Sequence, residues 1–120
     1  MAVVPFAADF DMDSLATPRI ALGLITAGKD VNQIPRFHSS AVLAACQDRC
    51  MHIADLQDGS HGIMLSPMPP LDRMNDLTRE LLGDPPGFDR SVLPRVDAST
   101  VAFFAKHLQP LKPVSLTPRP

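Results

Sequence analysis

Neither tryptophan nor tyrosine occurs in this sequence, and its 120 residues include only six phenylalanines. Aromatic platforms on which bases could stack are therefore scarce. Basic charge is short as well: 11 Lys and Arg against 13 Asp and Glu give a net charge of −2. Without a cationic stripe to displace counterions from a phosphate backbone, nucleic acid is not an expected partner. No charge-free stretch approaches the ~20 apolar residues that a membrane span needs. The amino end carries no basic residue before Asp9, Asp11 and Asp13, so it does not read as a signal peptide. As it stands, the sequence reads as cytoplasmic.

What is abundant is proline, with 13 residues against six glycines. Much of the chain is therefore connection between short elements. At roughly 150 residues per domain the length allows one domain and no second. Hydrophobic residues at 45% and charged residues at 20% set it apart from disordered chains. No internal repeat is visible. The segment 110–120, spaced by Pro110, Pro113, Pro118 and Pro120, reads as an extended tail.

Two apolar runs, 2–6 and 20–26, are continuous rather than alternating, as parallel strands covered on both faces tend to be, and 51–56 is a third strand candidate. Between the second and third, Val42, Leu43 and Cys46 make a helical stripe over 39–46, with Ser39 or Ser40 as the N-cap. Strand, helix, strand at this spacing suits a parallel crossover. A second helical pattern covers 71–82 and closes at Gly83. A third covers 97–108, capped by Asp97, with Val101, Phe104 and Leu108 on one face and Phe103 widening it. The expected fold class is α/β, about three parallel strands with flanking helices.

Chemistry gathers where two of these strands end. Gly28-Lys29-Asp30 sets a carboxylate just past the second strand, and Asp58-Gly59-Ser60-His61-Gly62 sets an imidazole between glycines just past the third. Reactive groups collect at the carboxyl ends of strands in open α/β sheets. Adjacent strands would bring Asp30 within reach of one ring nitrogen of His61 and leave the other free as a base. Taken singly, each has a plainer reading, Asp30 as a common turn residue and His61 as an exposed loop residue.

The stretch 18–69, with Ile20-Ala-Leu-Gly-Leu-Ile-Thr-Ala-Gly-Lys-Asp30, Ile34-Pro-Arg-Phe-His38 and Gly59-Ser-His-Gly-Ile-Met-Leu-Ser-Pro67, resembles the C-terminal part of an α/β-hydrolase. The likeness is greatest to the dienelactone hydrolase-like bacterial esterases. Asp84-Pro-Pro-Gly-Phe-Asp-Arg90 and Val101-Ala-Phe-Phe-Ala-Lys-His-Leu108 extend it, so that residues 1–109 read as the C-terminal portion of such a domain, a partial hydrolase fold. The resemblance implies that Asp30 is the acid and His61 the histidine of a catalytic triad, in the family's chain order. It implies carboxylic ester hydrolysis of a small-molecule substrate, with no metal or organic cofactor.

The family's nucleophile sits in a G-x-S-x-G elbow, and no such pentapeptide occurs. The chain is thus expected to supply base and orienter without nucleophile, and to be inactive alone. The alternative is a non-catalytic interaction module that docks a partner chain, or another copy of itself, through an open sheet edge.

Cys46 and Cys50 form C-x3-C, which puts the sulfurs about 6 Å apart along a helix axis or pairs the helix end with the next strand. Reduced packing thiols, a short disulfide, or a metal site with His52 or His61 are the competing readings. Relatives in the resembled group are often exported, and the resemblance therefore favours the disulfide. Met64, Met68 and Met74 cluster after His61, either as an adaptable pocket wall or as core. His38 and Asp89-Arg90 are expected to brace turns, and His107 to face solvent on the last helix.

Overall fold

A computed structural model describes residues 1–108; the expected proline-rich tail, 110–120, lies outside the described residues. Three strands, β1 (Ala2–Val3), β2 (Leu22–Ala27) and β3 (Cys50–Leu56), form one parallel sheet in the order β1-β2-β3. Helices α1 (Ser39–Cys46), α2 (Asp76–Leu82) and α3 (Leu93–His107) flank it. The α/β architecture expected from the apolar runs is therefore present.

Successive residues of β2 serve opposite faces of the sheet. Leu24 packs with Leu15, Val42 and Cys46 on the α1 side. Ile25 and Ala27 pack with Ile63 and Val96 on the α3 side. Covered on both faces, β2 is apolar throughout except for Thr26. The edge strand β3 has half-exposed and exposed positions along its length.

Several boundaries differ from the sequence reading. The first run stays a strand for two residues only, because Val4 turns to φ 39° and Pro5 has no N–H to continue the ladder. Residues 71–82 break into a 3₁₀ turn, Leu71–Arg73, and the helix α2. The Asn75 side chain accepts the Thr78 N–H at 2.8 Å and starts the helix anew. In α1 the cap position belongs to His38, which makes no side-chain capping bond, and Ser39 lies inside the helix. Asp97 caps nothing: α3 begins four residues earlier, with Pro94 in its first turn. Its buried residues are Val96 and Phe103, while Val101, Phe104 and Leu108 are exposed.

Candidate active site

The turns that follow β2 and β3 are laced together by backbone bonds. Gly28 N–H donates to the Leu56 carbonyl and Lys29 N–H to the Gly59 carbonyl, each at 2.9 Å. This lacing brings the two sequence candidates together. Asp30 Oδ2 lies 2.9 Å from His61 Nδ1.

The acid is held from the other side too. Its Oδ1 accepts the N–H groups of Asn32 at 2.9 Å and Gln33 at 2.8 Å, an Asx-type turn written by local sequence. The Asp30 side chain is fully buried, whereas that of His61 is 30% exposed. A carboxylate can only accept, so His61 carries its proton on Nδ1 and leaves the Nε2 lone pair available. No partner holds Nε2 among the described residues, and the ring lines an open groove of about 400 Å³ with Phe6, Asn32, Gln33, Leu81 and Leu82.

The histidine turn is anchored by its neighbours. Ser60 Oγ donates to the Gly83 carbonyl at 2.8 Å, which ties the turn to the end of α2. The nearby Lys29–Asp58 ion pair, at 2.8 Å, is solvent-exposed on both sides and contributes little. Among the described residues, no serine, threonine or cysteine is hydrogen-bonded to His61. The geometry therefore supplies a fixed, oriented base without an attacking hydroxyl beside it.

Cys46 and Cys50 are joined as a disulfide, with Cα atoms 5.4 Å apart, linking the end of α1 to the start of β3. Both sulfurs are thereby consumed, and His52 Nε2 instead meets Thr26 Oγ1 at 2.8 Å, so the metal reading built on these residues does not hold. Among the described residues no helix is long and apolar enough to cross a membrane. Met74 is buried and Met64 is half-buried against the Ile25 cluster, and neither lines the groove. His38 Nδ1 accepts the Ala7 N–H at 3.3 Å, and Arg90 reaches Asp84 and the Leu65 carbonyl. Asp89 accepts Ser91's hydroxyl and N–H, and these bonds hold its carboxyl below the usual value. His107 is exposed, with its ring 4.8 Å from Phe103.

Two polar features escaped the sequence reading. Gln33 Oε1 is buried without a partner beside the groove. Thr26 joins His52 and Asp55 on the α1 side of the sheet. The only signal for the second was a threonine and two polar residues inside otherwise apolar runs. Comparison with known families, curated proteins and solved structures found no match to this chain.

Proposed function

We propose that this chain is the acid–base portion of a serine-type α/β-hydrolase of the dienelactone hydrolase-like kind, directed at small carboxylic esters. The observation that carries the reading is the pairing of buried Asp30 with His61 Nδ1, which leaves Nε2 free at an apolar groove. In this role His61 Nε2 takes the proton of a serine hydroxyl as its oxygen attacks the ester carbonyl, then returns it to the departing alkoxide. Asp30 fixes the tautomer and stabilises the imidazolium formed between those steps. Water then repeats the sequence on the acyl-serine. The serine and the oxyanion donors come from outside the 120 residues, which contain no G-x-S-x-G elbow.

Two experiments test this. The purified chain alone is expected to give no His61-dependent hydrolysis of p-nitrophenyl butyrate; turnover that disappears in His61→Ala overturns the division of labour. Sequencing of the transcript upstream of the Met1 codon is expected to reveal a G-x-S-x-G elbow, in the same frame or a shifted one. Its absence from all three frames overturns the hydrolase reading.

A second reading, a non-catalytic module that docks another chain, is favoured by one observation. β1 pairs on one side only, so its outer edge presents free backbone groups, flanked by half-exposed Met1 and Phe6. Sedimentation separates the two: association through this edge predicts a dimer or larger species, and a monomer with cooperative melting removes it.

A further inference from the structure

β3 closes the sheet on the side away from β1, and among the described residues it pairs only with β2. Its seven residues therefore run along an open edge, against two in β1. Edges of this length are normally blunted by lysine, proline or a bulge. β3 holds neither lysine nor proline, but it carries a bulge: Leu24 pairs with His52 and Ile25 with Ala54, which leaves Ile53 without a partner in β2.

The bulge changes which side chains share a face. Thr26 Oγ1 lies 2.8 Å from His52 Nε2 and 2.7 Å from Asp55 Oδ1, so both residues stand on the α1 side although they are three apart. Cys50 packs on that side, and Gln57 Nε2 reaches Asp55 there. Ile53, Ala54 and Leu56 pack on the α3 side, where Met51 and Phe103 line a hollow of about 320 Å³.

In an antiparallel pair, residues directly opposite each other share a face. For two copies of β3 related by a two-fold axis, one register meets this condition from 50 to 57. Cys50 then faces the partner's Gln57, Met51 the partner's Leu56, His52 the partner's Asp55 and Ile53 the partner's Ala54. A slip of one or two residues either way sets α1-side residues against α3-side ones. A regular strand would fall out of phase at the bulge, whereas a second copy brings the same bulge to the axis.

Charge follows the same register. Just beyond the strand ends it brings Arg49 toward the partner's Asp58, and these side chains are 57% and 67% exposed. Asp58 already holds Lys29 at 2.8 Å in a solvent-exposed pair that leaves room for a second cation. Asp48 stands opposite the partner's Gly59, so no like charges meet. By symmetry each pairing occurs twice.

We propose that this chain forms a two-fold homodimer through β3, which joins two three-stranded sheets edge to edge. Main-chain hydrogen bonds supply the attachment, the matched bulges set the register, and the Arg49–Asp58 pairs favour a second copy over other strands. No residue of β3 lines the His61 groove, so the dimer neither needs nor excludes the hydrolase reading.

The test is sedimentation equilibrium of the whole chain and its charge variants. A reversible monomer–dimer equilibrium is expected for the parent. Arg49→Glu sets like charges together at both ends of the interface, as does Asp58→Arg, and each should weaken the dimer at least ~tenfold. An equimolar mixture of the two variants restores opposite charges at both ends and should associate at least ~tenfold more tightly than either alone. Glu80→Arg, exposed on α2, should leave the dimer unchanged. Amide exchange on the parent gives a second reading without any variant: β3 amides should exchange more slowly at dimer-forming concentrations, and β1 amides should not. A monomer at every concentration overturns the proposal, as does a mixture no tighter than its components. A dimer that survives both reversals, or protection confined to β1, overturns it in favour of the other edge.

Discussion

A Cβ built on Gly62 would fall 2.7 Å from the Leu82 carbonyl carbon, so the residue after His61 lies flush on the last turn of α2. Backbone, unlike the tip of a flexible side chain, cannot swing aside. Gly62→Ala must therefore push the histidine turn away from α2, at a cost of about 2 kcal/mol in urea unfolding. Gly87 gives the contrast. It has φ +84° and nothing near the Cβ position, so Gly87→Ala should cost about 1 kcal/mol through backbone conformation alone. Only the first variant should move the amide resonances of the His61 turn.

Asp30 accepts three hydrogen bonds from a buried position, and its two oxygens have different tasks. In Asp30→Asn the amide oxygen can keep the Asn32 and Gln33 N–H groups, which turns the amide nitrogen toward His61. Two donors cannot share one bond, so the imidazole proton must move to Nε2. Long-range ¹H–¹⁵N spectra of the histidine ring should show the Nδ1–H form in the parent and the Nε2–H form in the variant. Asp30→Ala strands all three donors, and an unfolding free energy lower by about 2–3 kcal/mol is expected.

The Asp30–His61 pair was legible because it depends on strand order and on turns with strong local signals, Gly28 before the acid and Gly59 before the histidine. Asn32 and Gln33 were not, since their contribution is backbone N–H, which any residue offers. The Thr26–His52–Asp55 cluster on the other face was hidden for a different reason. His52 and Asp55 are three apart, a spacing that puts them on opposite faces of a regular strand, and a bulge is a property of two paired strands rather than of one sequence. Helix ends were misplaced where side-chain caps competed: Asn75 captured the start of α2, while Asp97 lost α3 to Pro94.

The Cys46–Cys50 disulfide closes a very short loop, which removes less chain entropy from the unfolded state than a long one. Loop-closure arithmetic gives about 2 kcal/mol. Urea unfolding with and without reductant should differ by that amount, and the Cys46→Ala, Cys50→Ala double variant should fall below the reduced protein by the lost packing of the Cys46 side chain. A thiol assay under denaturing conditions should find none without reductant and both cysteines after it. Because Cys46 is fully buried against Leu24 and Val42, Cys46→Ala alone should cost more than Cys50→Ala at equal loss of the bond.

Of the α3 face that periodicity picks out, with Phe103 widening it, only Phe103 is buried. Val101, Phe104 and Leu108 fit a helical stripe, yet the sheet offers its hollow elsewhere. Gly23 of β2 has no side chain, and a Cβ there would meet the Phe103 ring at 3.0 and 3.1 Å. The ring of Phe103 therefore occupies the space that Gly23 vacates, and the helix is rotated so that Val96 and Phe103, two turns apart, face inward. Phe103→Ala should lose about 3–5 kcal/mol, against about 1 kcal/mol for Phe104→Ala, which is 36% exposed. Gly23→Ala should destabilise the parent through contact with Phe103 and Ile53, and its penalty should shrink in the Phe103→Leu background. Additive effects of Gly23→Ala and Phe103→Leu would show that the two positions do not share this space.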